Sequence, residues 1–217
     1  MSESSKLRLL TAAQFVEEQR LGALVLDTRP AEKFASLHIR GAIQIGLKGY
    51  FSSWAAILID PTQKLLLLAE NESSAAEAHT RLARVGIERI IGYSLADEMQ
   101  WREHNLDLDS ISIQRCATVR QSLQSDRSPQ LIDVRSRAEW LKGHLPGAVS
   151  APLLDFNSSL QCIDLSKPSL VYCREGFRAA TAASILLRES SGEIGIFIDG
   201  VEGWSAAGLP LEVPADE

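Results

Sequence analysis

The chain has 217 residues and a mass of 23.8 kDa, enough for one large domain or two small ones. Its 45% hydrophobic and 23% charged residues are typical of an ordinary globular protein and exclude the disordered, collagen-like and coiled-coil classes. The net charge of −6 and the sequence pI of 5.3 leave no basic surplus to neutralise a phosphate backbone, so nucleic acid is not an expected partner.

The apolar runs, the first residues and the cysteines of the chain predict its localisation and exclude some kinds of site. Runs such as Leu65–Leu68 fall far short of the roughly 18 apolar residues that a membrane helix needs, so no membrane association is expected. Residues 1–7 contain no basic stretch followed by an apolar segment, which predicts a cytoplasmic protein. The three cysteines lack Cys-x-x-Cys spacing, and we expect no disulfide framework, metal site or other cofactor.

The sequence contains an internal repeat with a shift of 106 positions, the separation of Asp27 from Asp133. The other matched pairs are Arg29 with Arg135, Phe34 with Trp140, His38 with His144, and Gly41-Ala42 with Gly147-Ala148. A repeat of this length is a small domain rather than a solenoid unit. We therefore predict two copies of one domain, residues 1–106 and 107–217, with the boundary in the polar stretch Asn105–Ser112.

In chain order, the first copy opens with Thr11-Ala-Ala-Gln14, a capping-box pattern that predicts a helix ending near Gly22. The clearest later helix covers Ser73–Val85. Short apolar runs predict buried parallel strands at Leu24–Leu26, Lys64–Leu68 and Arg89–Ile91.

The second copy repeats this order of elements. Thr118-Val-Arg-Gln121 predicts a second capping box, and Arg178–Arg188 predicts a helix. Predicted strands are Leu131–Val134, Ser169–Tyr172 and Ile194–Ile198. The fold class is therefore α/β, with a parallel sheet flanked by helices on both faces in each copy. Ligands bind beyond the carboxyl ends of such strands.

One strand end carries a candidate nucleophile. The strand Ser169–Tyr172 is followed by the loop Cys173–Arg178 and then by an alanine-rich helix. Backbone N–H groups converge at a helix N-terminus and stabilise anions, a thiolate included. Gly176 permits a positive φ, and the two arginines of the loop add positive charge for an anionic substrate. The alternative is that Cys173 is a small buried apolar residue.

Several motifs together resemble the rhodanese, or thiosulfate sulfurtransferase, family. They are the repeated Asp-x-Arg, the turn Gly143-His-Leu-Pro-Gly-Ala148, the loop Cys-x-x-Gly-x-Arg and the ending Gly203-Trp-Ser-Ala-Ala-Gly-Leu-Pro210. The resemblance implies tandem domains of that family. It also implies a cysteine that takes a sulfane sulfur from a donor such as thiosulfate or 3-mercaptopyruvate. The sulfur would then pass, as a persulfide, to a thiol, cyanide or protein acceptor.

Carried over by position, Cys173 is the catalytic residue that accepts the sulfur. The donor-binding cradle would comprise Arg174, Glu175, Gly176, Phe177 and Arg178. Glu175 adds negative charge to the cradle, which makes a doubly charged donor less favourable. Phe177 is expected to pin the loop to the core, the alternative being a contact with an organic donor.

The first copy lacks the nucleophile. Ala69 stands at the position of Cys173, and Glu70 and Glu72 replace Arg174 and Gly176. Carboxylates at this place would repel an anionic donor. We therefore expect the first copy to be catalytically inactive and to serve packing, coverage of the active domain or docking of a partner.

Two other functions stay open. Cysteine phosphatases and arsenate reductases of the same fold have five residues between cysteine and arginine; the four here predict a tighter loop suited to a single sulfur atom. A non-catalytic regulatory or binding module is the second alternative, with Cys173 incidental or sensing redox state.

Other polar residues favour structural roles. Because the first copy keeps Asp27 and Arg29, this pair and its counterpart in the second copy are expected to be structural ion pairs. The repeated histidines indicate a turn contact, and no histidine has the spacing of a general base. Cys116 and Cys162 are both expected to be inert, with a role of Cys162 as a resolving thiol as the alternative.

Overall fold

A computed structural model describes residues 7–125 and 128–214. Nearly all of the stretch on which the cytoplasmic prediction was based lies outside these ranges. The chain divides into two compact units, Met1–Asp109 and Ser110–Glu217. The division predicted from the repeat, after residue 106, lies three residues earlier. Among the described helices, none combines the length and apolar character needed to cross a membrane.

The first unit contains a four-stranded parallel sheet with the order β3-β1-β4-β5. Its strands are β1 (Leu24–Asp27), β2 (His38–Ile39), β3 (Ile43–Gln44), β4 (Leu65–Ala69), β5 (Ile90–Leu95) and β6 (Leu108–Asp109). Its helices are α1 (Ala12–Arg20), α2 (Ala31–Ser36), α3 (Phe51–Leu58), α4 (Glu72–Ala83) and α5 (Glu98–Glu103). The short strands β2 and β6 pair antiparallel in a separate ribbon. Every residue of β4 is buried, as expected for a parallel strand covered on both faces.

The second unit contains a five-stranded parallel sheet with the order β7-β11-β10-β8-β9. Its strands are β7 (Ser112–Gln114), β8 (Gln130–Asp133), β9 (Val149–Ser150), β10 (Ser169–Tyr172) and β11 (Ile194–Phe197). Its helices are α6 (Cys116–Ser122), α7 (Arg137–Leu141), α8 (Phe156–Ser159), α9 (Phe177–Glu189) and α10 (Gly200–Ala206). The core beneath this sheet includes Leu131, Leu170, Tyr172, Phe197 and Trp204. The predicted α/β class, with parallel sheets flanked by helices, is confirmed.

The two sheets repeat one topology. Strands β1, β3, β4 and β5 of the first unit occupy the same sheet order as β8, β9, β10 and β11 of the second. The second unit adds β7 beside β11, where the first has a single parallel bridge between Leu9 and Tyr93. The central strands β4 and β10 therefore end at the same edge of their respective sheets.

The two predicted capping boxes have different outcomes. The box at Thr11 is confirmed. The Thr11 hydroxyl accepts a hydrogen bond from the Gln14 backbone N–H, and the Gln14 side-chain oxygen accepts one from the Thr11 backbone N–H. The box at Thr118 is wrong, because α6 begins at Cys116 and Thr118 lies within it. The distant Asp199 carboxylate accepts from the Cys116 N–H at 3.0 Å, and this long-range acceptor allows the earlier start.

A buried aspartate–arginine pair follows the equivalent strand in each unit. The shortest N–O distance is 2.6 Å in both Asp27–Arg29 and Asp133–Arg135. Each arginine also donates to a backbone carbonyl eight residues further along the chain, at 2.9 and 2.8 Å. The guanidinium thus connects the strand end to the following turn, which confirms the predicted structural role.

We expect Asp133→Asn to lower the free energy of unfolding of the second unit by about 3 to 5 kcal/mol, because it leaves the Arg135 charge buried without a counter-charge. Urea denaturation followed by tryptophan fluorescence measures the change. The control Glu77→Gln breaks the more exposed pair with Arg81 and should cost less than about 1 kcal/mol. Equal losses in the two variants would contradict the assigned role of the buried pair.

Candidate active site at the Cys173 loop

Cys173 lies between the end of β10 and the start of α9, at the carboxyl edge of the second sheet. Its side chain is buried, with 2% of its surface exposed. The Gly176 N–H donates a hydrogen bond to the Cys173 Sγ at 3.1 Å. The sulfur therefore occupies the position at a helix N-terminus where negative charge is stabilised.

The loop requires glycine at position 176. Gly176 is the residue that begins α9 as its N-cap, and its φ is +88°. A Cβ there would overlap the Ile198 Cδ1 and lie 3.0 Å from the Ile198 carbonyl oxygen. The left-handed backbone directs the Gly176 N–H toward the sulfur, so the geometry of the site depends on a residue without a side chain.

A second glycine brings α10 against the loop. Gly200 has a φ of +56°, and a Cβ there would overlap the carbonyl oxygens of both Cys173 and Arg174. The Val201 N–H donates to the Cys173 carbonyl at 3.0 Å. The N-terminal turn of α10 thus fixes the backbone of Cys173.

Arg178 forms a bidentate ion pair with Glu139 of α7. Both N–O distances are 2.7 Å, and the arginine is 22% exposed. Glu139 also forms the capping box of α7 with Ser136, which fixes the carboxylate from a second side. The pKa of Arg178 is raised, first by the hydrogen bonds to Glu139 and further by the charge of the nearby Cys173. The guanidinium is therefore held within electrostatic reach of the sulfur.

The charge around the loop differs from the sequence prediction. The two loop arginines were expected to offer positive charge to an anion, yet each is paired with a carboxylate. Arg174 bonds Glu202 of α10 at 2.5 Å, and the pKa of Arg174 is raised by this bond. Glu175 is exposed beside them. The paired arginines therefore add no surplus positive charge.

Phe177 does not pin the loop to the core, so that prediction is wrong. Its side chain is 61% exposed, because the first turn of α9 directs it to solvent while Ala179 and Ala180 face the sheet. The exposed ring is free to make the alternative contact, that with an organic donor.

Comparison with known proteins identifies the family of the chain. The model of the Rhodanese-like domain family matches residues 11–96 and 117–207. The chain belongs to the rhodanese-like domain family. The two matched segments confirm the predicted tandem organisation of the chain and support a sulfurtransferase-type function at the level of the family.

Relatives of the chain include proteins named as sulfurtransferases. A "Sulfurtransferase" of Allochromatium vinosum is 28% identical over 94 residues, which cover 43% of this chain and 88% of that protein. "Thiosulfate sulfurtransferase GlpE" of Actinobacillus succinogenes is 28% identical over 82 residues, covering 38% of this chain and 74% of that protein. A solved thiosulfate sulfurtransferase of Pseudomonas aeruginosa matches 97% of this chain but 44% of its own chain, with a TM-score of 0.42 and 19% identity.

The equivalent loop in the first unit has another form. Ala69 is the last residue of β4, and only two residues separate it from α4. Asn71 is the N-cap of α4, and its side-chain oxygen accepts a hydrogen bond from the Ser74 N–H at 2.9 Å. An asparagine side chain thus satisfies the helix N-terminus that, in the second unit, faces the thiol.

The structure also adds residues that the sequence analysis missed. Glu139, Glu202 and Gly200 come from three positions outside the predicted loop. The pattern Ser136-x-x-Glu139 could have marked the carboxylate as a cap, but not as the partner of Arg178. Within the described ranges, no group of three or more histidine, cysteine, aspartate or glutamate side chains could hold a metal ion.

We expect the Glu139 carboxyl to titrate far below its usual range. Its pKa is lowered from the ordinary 4.5 to about 2, first by the hydrogen bonds from Arg178. Any stability from this pair is therefore fully present above about pH 4.5 and is lost as the pH falls through about 2. Carboxyl ¹³C NMR titration measures the midpoint.

In Arg178→Met the Glu139 pKa should rise toward 4.5, because the largest lowering contact is removed, while the hydrogen bonds from Ser136 that also lower it remain. The control Arg120→Met, at an exposed position on α6, should leave the midpoint unchanged. A wild-type midpoint near 4.5 would contradict a persistent ion pair.

Proposed function

We propose that the protein is a sulfurtransferase that carries a sulfane sulfur as a persulfide on Cys173. The observation that carries this proposal is the Cys173 Sγ bound by the Gly176 N–H at the start of α9. A backbone N–H at a helix N-terminus stabilises negative charge, and the thiolate is the form of a cysteine that attacks sulfur. The family supports the reaction class, whereas the donor and the acceptor belong to the proposal.

The first half-reaction loads the cysteine. The Cys173 thiolate attacks the outer sulfur of the donor, a new S–S bond forms, and the S–S bond of the donor breaks. With thiosulfate, sulfite leaves with the bonding electron pair, and the enzyme keeps the outer sulfur as a persulfide anion. The leaving group departs as an anion, so no general acid is required.

The second half-reaction discharges the persulfide. A thiolate or cyanide acceptor attacks the outer sulfur, and the Cys173 thiolate leaves with the electron pair of the S–S bond. The acceptor thereby becomes a persulfide or thiocyanate. The Gly176 N–H and the field of α9 stabilise the thiolate in both half-reactions, as a preorganised donor does for any developing anion.

We further propose that the first unit is catalytically inactive. Ala69 supplies no nucleophile, and the Asn71 side chain occupies the helix end at which an anion would bind. The unit keeps the buried Asp27–Arg29 pair, so it retains the scaffold without the chemistry.

Incubation with thiosulfate should add the mass of one sulfur atom to the intact protein, because Cys173 retains the transferred sulfur. Mass spectrometry of the intact chain measures this gain. Cys173→Ser should abolish the gain and lower the rate of transfer to cyanide by at least about a thousandfold.

The matched control is Cys162→Ser, at an exposed cysteine outside the loop, which should load normally. Hydrolysis of an aryl phosphate without sulfur uptake would favour a phosphatase and contradict sulfur transfer. Reduction of arsenate without sulfur uptake would likewise favour the reductase.

Moving the cysteine to the first unit should not move the activity. In the double variant Ala69→Cys, Cys173→Ser, we expect no persulfide at position 69, because Asn71 caps α4 and the second residue of this helix is Ser73, where α9 has Arg178. Peptide mass spectrometry after thiosulfate treatment tests this. Loading at position 69 comparable to wild-type loading at position 173 would show that the loop geometry is dispensable.

A further inference from the structure

The charged residues of the Cys173 loop and the two carboxylates paired with its arginines include more negative than positive groups. We define the charged rim as Arg174, Arg178, Glu139, Glu175 and Glu202. Its two guanidinium groups and three carboxylates give one net negative charge before the thiolate is counted. The rim therefore opposes the approach of a donor that carries two negative charges.

The pairing within the charged rim also limits what the arginines can bind. Arg178 is engaged on two nitrogens by Glu139, with both distances at 2.7 Å. Arg174 is engaged by Glu202. A doubly charged donor would have to displace these carboxylates or bring further negative charge beside the thiolate. A singly charged donor has less repulsion to overcome.

An exposed aromatic side chain, Phe177, directly follows the Cys173 loop glycine. Phe177 is one residue after Gly176, whose N–H binds the Cys173 sulfur, and its ring is 61% exposed. An aromatic ring in this position can cover an apolar substituent on the donor while the outer sulfur reaches Cys173. Thiosulfate has no substituent that could use this ring.

The first unit provides an internal comparison for these residues. By the shift of 106 positions Lys33 stands at the position of Glu139 and, counted from the first residue of each helix, Glu72 and Ser73 stand at the positions of Phe177 and Arg178. The buried aspartate–arginine pair, in contrast, is present in both units with the same geometry. The Glu139–Arg178 pair and the exposed ring are therefore not requirements of the scaffold, and they occur in the unit that carries the cysteine.

We propose that the sulfur donor is a singly charged organic sulfane compound with an apolar group, selected over thiosulfate by the charged rim and by Phe177. This inference rests on the proposed sulfurtransferase function and specifies its substrate class. Glu139 acts as a positioning residue that places Arg178 and supplies one of the opposing charges.

The loading step remains balanced for such a donor. With an organic thiosulfonate anion, the Cys173 thiolate attacks the terminal sulfur, and the bond from that sulfur to the sulfonyl sulfur breaks. The organic sulfinate leaves with the electron pair, and Cys173 keeps the sulfur as a persulfide anion. No oxidant or reductant is needed.

The test uses three donors, namely thiosulfate, methanethiosulfonate and benzenethiosulfonate. The first two differ in charge, and the last two differ in the apolar group. Mass spectrometry follows persulfide loading of the full chain at several donor concentrations. The slope of the loading rate against concentration gives a second-order rate constant for each donor. Because the donors differ in intrinsic reactivity, the readout is how each ratio of rate constants changes between variants.

Glu139→Gln and Glu202→Gln should each raise the ratio of thiosulfate to methanethiosulfonate loading about three- to tenfold, since each removes one negative charge. Phe177→Ala should lower the ratio of benzenethiosulfonate to methanethiosulfonate loading by a similar factor. The control Glu189→Gln, at an exposed position in the last turn of α9, should change neither ratio. It removes the same charge about 16 Å along the helix from Arg178.

A general loss of folding or of loop order slows all donors together and leaves the ratios unchanged. If Glu139→Gln does not fold, Glu202→Gln still tests the charge, because its carboxylate is 48% exposed and caps no helix with its side chain. Unchanged ratios in the carboxylate variants, or in Phe177→Ala, would overturn the proposed donor class while loading continued. Absence of loading by all three donors in the wild type would instead overturn the proposed function.

Discussion

The hydrogen bond from the Gly176 N–H to the Cys173 sulfur is the contact on which the site depends. It requires three conditions: a strand that ends immediately before the cysteine, a helix that begins at residue 177, and a glycine in a left-handed conformation between them. A side chain at Gly176 would collide with Ile198. The chemistry of the thiol is thus tied to the packing of β11 and α10 behind the loop.

The two units show how one scaffold accepts two different loops. The sheet order and the buried aspartate–arginine pair are the same in both, because they belong to the core and the turn beside it. The strand-to-helix connection differs, and its length decides what faces the helix N-terminus. In the first unit this is the oxygen of Asn71, and in the second it is the sulfur of Cys173. Replacing a self-capped helix end with an uncapped one opens a place for an anion.

Charge at the site is set by residues distant in sequence. Arg178 is joined to Glu139, 39 positions earlier, and Arg174 to Glu202, 28 positions later. Paired in this way, the arginines orient and hold the loop instead of adding a surplus of positive charge. Positive residues beside a nucleophile therefore do not by themselves indicate a highly charged substrate, since their partners decide the net field.

The sequence alone determined the α/β class, the repeat, the buried strand-end ion pairs and the candidate nucleophile, because each is written in short-range patterns: apolar runs, ungapped spacing, and a Cys-x-x-Gly-x-Arg loop. Predictions from the sequence were wrong where the outcome depended on tertiary contacts. The start of α6 depends on Asp199, and the exposure of Phe177 depends on how α9 lies on its sheet. The carboxylates that neutralise Arg174 and Arg178 likewise come from other helices. Only tertiary structure decides such contacts, because they join groups that no local spacing relates.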